Sequence, residues 1–137
     1  MKVLFDSNIL IDVILHRGEF FAESRAAMLL IEEKIFKGYV SASAITDIYY
    51  IVRKELKDSA EALETIKQLL RILKVTKVNQ KSINMAVRLE WKDFEDSVQY
   101  CAARCCGVKC ILTRDKEGFS ESAIPVLSPK EFLSKIK

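Results

Sequence analysis

The sequence predicts an α/β fold with a mainly parallel sheet of roughly five strands and helices on both faces. Three observations carry this. The apolar run Val3-Leu4-Phe5 is too short for a helix and too apolar for an exposed loop, so it reads as a strand buried on both faces. Comparable short runs recur at 39–42, 73–78, 110–113 and 124–127, and residues at helical spacing separate all but the last two. Polar residues end these runs where a new helix begins.

The chain has 137 residues, an ordinary length for one domain, which is expected to span 1–137. Half the residues are hydrophobic and 30% are charged, which excludes a disordered chain. No apolar run approaches the ~20 residues needed to cross a bilayer, and the start passes from Lys2 into a strand without a signal-peptide pattern. The expectation is a cytoplasmic protein without a membrane partner. A net charge of +3 permits a nucleic-acid ligand without requiring one. The four cysteines (Cys101, Cys105, Cys106, Cys110) lack a Cys-x-x-Cys spacing, and the single histidine, His16, is remote in sequence. Buried reduced thiols are therefore favoured over a zinc site. His16 sits beside Arg17 and Gly18 in a turn and is read as solvated.

In chain order, Asp6 ends the first strand and Ser7 or Asn8 is available to cap a helix carrying Ile9, Leu10, Val13 and Ile14. Residues 20–36 read as a long amphipathic helix stopped by Gly38. A short strand at 39–42 precedes a helix begun by Ser43, with Asp47 one turn in. Asp58 opens the next helix, which leads to the strand 73–78, and 79–88 is a shorter helix. The cluster Asp93-Phe94-Glu95-Asp96 stands at the head of a helix with the stripe Val98, Cys101, Ala102 and Cys105; Gly107 ends it. A helix N-terminus favours one nearby acid by ~0.3–1 kcal/mol, which does not account for three. Strand 110–113 is followed by Arg114-Asp115. The last strand holds Pro125, an edge signal, before Ser128-Pro129 opens a terminal helix.

Asp6 and Asp115 each follow a strand directly, Asp96 opens a helix, and Asp47 lies early in the helix after the second strand. In a parallel sheet these positions fall on one edge, where ligands bind. Converging carboxylates repel strongly unless a cation neutralises them, and an all-oxygen donor set selects Mg2+ or Mn2+ over zinc. Such an ion beside a phosphodiester makes a hydrolytic site, so the residues alone point to a metal-dependent nuclease or phosphatase. The alternative from spacing alone is four unrelated caps and solvated acids.

The segments Leu4-Phe5-Asp6-Ser7-Asn8-Ile9-Leu10, Ser43-Ala44-Ile45-Thr46-Asp47-Ile48-Tyr49-Tyr50, Asp93-Phe94-Glu95-Asp96-Ser97-Val98-Gln99 and Leu112-Thr113-Arg114-Asp115 resemble, in this order, the signature segments of PIN-domain ribonucleases. Ile124-Pro125-Val126-Leu127-Ser128-Pro129 resembles the closing strand of one subgroup, so the likeness runs nearly end to end. The resemblance implies a three-layer α/β/α PIN-like fold and a Mg2+- or Mn2+-dependent endoribonuclease acting on RNA. It also implies the toxin of a toxin-antitoxin pair, with an antitoxin protein as partner and a homodimeric state. Asp6, Asp96 and Asp115 match the metal-binding acids and Asn8 a residue supporting the first; Thr113 and Asp93 are further supporting candidates. Asp47 stands where the commoner pattern has glutamate, although the subgroup that this chain most resembles also has aspartate there, and its shorter reach suits a water-mediated contact. Glu117, ahead of Phe119, is a secondary candidate for the fourth carboxylate.

A phosphatase of the haloacid-dehalogenase type requires a second aspartate two residues after the first, where this chain has Asn8. A PIN-like module that only binds protein or RNA is expected to lose the acids, and all four positions are acidic here. Because acids repel a phosphate backbone, a cleaving enzyme also needs cations beside its cleft. Arg114 and the group Arg53, Lys54 and Lys57 are the RNA-binding candidates, the latter group also explicable as a solvated helix end. Phe20, Phe21, Phe36, Tyr39, Tyr49 and Tyr50 exceed what one edge of a small core readily buries, so part of this aromatic surface is expected to be exposed and to contribute to a dimer contact.

Overall fold

A computed structural model describes residues 1–136; Lys137, the last residue of the expected domain, lies outside the described residues. The strands β1 (Lys2–Phe5), β2 (Lys37–Ser41), β3 (Lys74–Thr76), β4 (Cys110–Leu112) and β5 (Val126–Leu127) form one sheet in the order β3-β2-β1-β4-β5. Every pairing is parallel, so all carboxyl ends share one edge. The chain runs outward from β1 through β2 to β3, then returns to the other side of β1 with β4. The crevice between β1 and β4 is therefore a topological switch point.

Alternation along the strands builds two cores. Val3, Phe5, Val40 and Leu112 face α1 (Ser7–Ile14), α2 (Phe21–Glu32), α3 (Ala42–Leu56), α4 (Ser59–Ile72) and α7 (Pro129–Ile136). Leu4, Tyr39 and Ile111 face α5 (Gln80–Leu89) and α6 (Phe94–Cys106). β1 is thus buried on both faces, as its unbroken apolar run requires, and each of its fully buried side chains contributes about 1.5–3 kcal/mol. The result is the predicted α/β/α sandwich.

The boundaries differ from the sequence reading where tertiary packing decides. Residues 18–20 form a 3-10 turn, and α2 ends at Glu32 because Lys34 takes a left-handed conformation (φ 61°). Phe36 leaves the helical pattern to pack between Phe5 and Phe132, their ring centroids 6.2 and 5.0 Å away. Gly38 lies within β2 instead of stopping a helix: a Cβ there would collide with Ile31 and stand 2.8 Å from Leu73 Cδ2, so glycine permits α2 and Leu73 to close on the strand. β3 and β5 are shorter than expected, and β5 is an edge strand adjoining Pro125. Of the six aromatic residues, only Phe20 and Tyr50 are exposed; Phe36 and Tyr39 are core residues, and Phe21 and Tyr49 are half-buried.

Caps are also reassigned. Ser41, not Ser43, caps α3, with Ala44 N donating to its Oγ at 3.2 Å. Asp58 caps α4, and Asn79 with Ser82 forms a capping box on α5. Cys101 and Cys110 are buried, as expected of inert thiols, and burial pushes Cys110 up to about 11; Cys105 is exposed. His16 occupies an exposed turn against Phe21. Among the described residues, no helix is long and apolar enough to cross a membrane.

Candidate active site

Asp6 holds the N-cap position of α1, yet its carboxylate makes no cap hydrogen bond, and neither Ser7 nor Asn8 caps the helix. The carboxylate is used elsewhere. Only 4% exposed, it accepts a hydrogen bond from Thr113 Oγ1 on Oδ2 (2.7 Å) and from Gln99 Nε2 on Oδ1 (3.1 Å). A second, longer contact from Ser7 Oγ reaches Oδ1 at 3.3 Å. Thr113, fully buried just beyond β4, accepts from the Asp115 N–H (3.0 Å) and from Asn8 Nδ2 (3.3 Å) while donating to Asp6. One hydroxyl therefore ties the ends of β1 and β4 together across the switch point.

The remaining acids arrive on α6 and α3. Asp93 caps α6 by accepting from Asp96 N at 3.0 Å, which places Glu95 and Asp96 in the first turn, facing Asp6. Carboxylate oxygens of Asp93, Glu95 and Asp96 lie within 4.8 Å of one another. Asp6, Asn8, Asp47, Asp93, Asp96 and Asp115 all line one cleft of about 410 Å³, to which Glu95 also contributes. Asp47 is exposed on α3, and Asp115 is exposed on the loop after β4. Glu117 lines an adjoining cleft with Asp93, Asp96 and Asp115. Gly118 presses against the Asp96 carboxylate and leaves no room for a side chain: a Cβ would overlap Asp96 Oδ2 and sit 3.4 Å from Asp115 Oδ2.

The electrostatics register this crowding. Burial, opposed by the Gln99 hydrogen bond and reinforced by the charges of Asp6, Asp47 and Asp93, raises Glu95 to about 7. Burial and the charges of Asp6, Asp93, Glu95 and Asp115 raise Asp96 to about 7. Glu95 Oε2 accepts from Gln99 at 2.7 Å, whereas its buried Oε1 has no partner. Among the described residues, the cleft lining contains no lysine or arginine. A hard divalent cation fits this oxygen-only donor set, because it supplies the positive charge that the converging carboxylates lack.

The candidate cations are arranged differently from one another. Arg53, Lys54 and Lys57 line a hollow of about 430 Å³ beside the site, and Tyr50 belongs to the walls of both that hollow and the acidic cleft. Arg114 is committed elsewhere: its Nε donates to Asp12 Oδ2 at 2.7 Å and its guanidinium lies 4.7 Å from the centre of the Phe20 ring. Three participants escaped the sequence reading. Glu95 was visible only as part of the acidic cluster. Gln99 is a polar residue inside the apolar stripe of α6, and fully buried Asp12 interrupts the apolar run Ile9–Ile14; such interruptions are the signal that marks them.

Carboxylates converging at the switch point of a parallel sheet define an acidic-cleft α/β domain with a donor set suited to a divalent cation. The chain belongs to the PIN-domain family: the family model described as PIN domain matches residues 2–117. It is 32% identical over 136 residues to Ribonuclease VapC1 of Aquifex aeolicus (strain VF5), covering 96% of this chain and 92% of that protein. Its fold is similar to DNA-bound VapBC from Salmonella typhimurium (TM-score 0.73, 17% identity, 94% of this chain and 98% of that chain). A toxin-antitoxin complex from Klebsiella pneumoniae is also similar (TM-score 0.67, 23% identity, 93% and 97% coverage).

Proposed function

We propose that this chain, as one PIN domain over 1–137, is a Mg2+- or Mn2+-dependent endoribonuclease and the toxin of a toxin-antitoxin pair. The observation that carries the reading is the convergence of Asp6, Asp47, Asp96 and Asp115 on one cleft without a compensating cation. The ribonuclease relative supports the reaction, and the neighbouring toxin-antitoxin complex supports an antitoxin protein as partner.

In this reading Asp6, Asp96 and Asp115 hold the ion, with Asp47 acting from the exposed rim through water. When bound, such an ion supplies Lewis-acid polarisation of the phosphodiester and lowers the pKa of water. Thr113 and Gln99 fix the two Asp6 oxygens, and Asn8 holds Thr113, so the first ligand is preorganised. Asp93 serves as the cap that sets the direction of the Glu95–Asp96 turn. Glu95, with Oε2 anchored and Oε1 free, is placed to accept a proton at Oε1. Glu117 stands ready on the adjoining wall.

Arg53, Lys54 and Lys57 take the RNA backbone away from the acids, with exposed Tyr50 offering a stacking face between the two hollows. Arg114 contributes its charge from its place on Asp12. We further propose a cytoplasmic homodimer in contact through α2 and α3, where Leu29 and Leu56 remain exposed; light scattering at tens of micromolar tests it, and a monomer refutes it.

The deciding experiment is cleavage of single-stranded RNA with Mn2+, comparing the natural chain with Asp6→Asn and Asp96→Asn. Ion-dependent cleavage lost in both variants is expected. Equal rates in all three proteins would reject the reading.

A further inference from the structure

Beyond the acids lies a second cleft of about 570 Å³, which shares Asp96 and Asp115 with the first and extends to Trp91, Lys92, Glu117 and Glu121. Trp91 is the one tryptophan of the sequence. Its ring is held by packing: it stacks on Tyr100 (centroids 4.8 Å apart, planes at 29°) and meets Phe119 edge-on at 6.2 Å. Tyr100 is fixed in turn by accepting from Ala123 N on its hydroxyl at 3.1 Å. Trp91 is nonetheless only half-buried and lines the cleft. A rigid aromatic ring on the wall of a cavity large enough for a nucleotide is a stacking surface.

The walls decide what stacks there. Glu117 and Glu121 repel phosphate, so the backbone is better accommodated on the basic side, beside Tyr50. Carboxylates accept hydrogen bonds from base N–H groups, and guanine alone presents two adjacent N–H donors next to a carbonyl oxygen. Lys92 provides a donor for that oxygen on the same lining. Adenine and cytosine would turn a ring-nitrogen acceptor toward the carboxylates, and uracil lacks an amino group.

We infer that the Trp91 cleft is a nucleobase subsite that receives guanine next to the phosphate handled by the acids. This rests on the nuclease reading and adds a sequence preference to it. Trp91 and Glu121 are then positioning residues that choose where the strand is cut.

The test maps cut sites on a random-sequence RNA with Mn2+ for the natural chain and for Trp91→Leu, Trp91→Phe and Glu121→Gln. The natural chain should cut beside guanine. Trp91→Leu should raise KM about tenfold with kcat little changed and lose the guanine enrichment, with Trp91→Phe restoring both. Glu121→Gln should lower the share of cuts made beside guanine. Guanine enrichment that is absent in the natural chain, or that persists unchanged in Trp91→Leu, overturns the subsite. If the natural chain does not cleave at all, the nuclease reading fails separately, and the subsite is then judged by fluorescence of the single tryptophan. Five-nucleotide RNAs differing only in the central base should quench it most with guanine; equal quenching by all four bases, or none, rejects it.

Discussion

Gln99 and Asp6 are 93 positions apart in sequence, and the Gln99 side-chain amide donates to Asp6 Oδ1 at 3.1 Å from a fully buried position on α6. The same nitrogen reaches Glu95 Oε2 at 2.7 Å, so one neutral amide separates two acids that would otherwise face each other. Gln99→Met keeps the volume and removes both donors. It should cost about 1–3 kcal/mol, the usual penalty for stranding buried polar partners, and lower cleavage at least tenfold. Urea denaturation and single-turnover cleavage check this, and an unchanged midpoint would refute it.

Glu95 and Asp96 give the metal-free protein a pH dependence whose sign is fixed. Both are held near 7, above all by burial, whereas in the unfolded chain each ionises near 4. Between those values the folded protein keeps protons that the unfolded chain has lost, so stability falls as pH rises from about 4 to 7 and the full cost persists above. Glu95→Gln and Asp96→Asn should therefore stabilise the chelator-treated protein at pH 8 but not at pH 4. With both side chains only partly buried, the gain should be about 1–2 kcal/mol. Added Mn2+ should stabilise the natural chain and do so less in Asp96→Asn. Thermal melts at the two pH values decide it.

The second acidic position separates direct from water-mediated contact. Asp47 is exposed at the cleft rim, whereas Asp6 is buried in a hydrogen-bond network. Asp47→Ala should reduce cleavage by about 10–100-fold, the range of outer-shell losses, and Asp6→Asn by more. Equal loss in the two variants, measured with saturating Mn2+, would make Asp47 a direct ligand.

The sheet and the order of its acids were legible because strand runs and strand-end carboxylates are local patterns. The hydrogen bonds of those acids are not legible in the same way. Asn8 and Thr113 are named as supporting residues only beside the family resemblance, and Gln99 is not named at all; Thr113 lies 107 positions from Asp6 and Gln99 lies 93, and no spacing rule reports which buried polar side chain will turn toward which carboxylate. The helix α2 stops short of the expected 20–36 for a related reason: Ile35 and Phe36 continue an apolar pattern, but Lys34 breaks the helix and Phe36 serves the core from a loop. Gly38 reads as a terminator in sequence, although its role is close packing within a strand.

Arg114 illustrates how a cation next to a catalytic acid in sequence can have a structural duty. Its Nε meets Asp12 Oδ2 at 2.7 Å, and the Asp12 side chain is wholly buried while Arg114 is about a third exposed. Removing the arginine leaves an uncompensated buried charge. Arg114→Ala should therefore destabilise the fold by about 1–3 kcal/mol, below the cost of breaking a fully buried pair because solvent reaches the arginine. Arg114→Ala with Asp12→Asn should recover part of the loss. If Arg114→Ala changes only the salt dependence of RNA affinity, with no loss of stability, the duty lies with RNA instead.

Gly118 offers a way to disturb the site without touching a carboxylate. A Cβ at this position would overlap Asp96 Oδ2 and stand 3.4 Å from Asp115 Oδ2, and both oxygens face the shared cleft walls. Its backbone lies outside the left-handed region favouring glycine, where Gly18 and Gly107 fall, so alanine adds bulk there without backbone strain. The methyl group must push the Asp96 carboxylate aside or hold it away from Asp115. Two acids that share an ion cannot both keep their place under that displacement. Gly118→Ala should thus fold with a melting temperature close to that of the natural chain while weakening Mn2+ binding and cleavage by about 10–100-fold. Isothermal titration with Mn2+ and cleavage at saturating ion distinguish the outcomes. Undiminished Mn2+ affinity in a folded Gly118→Ala protein would show that Asp96 and Asp115 do not act on the same ion.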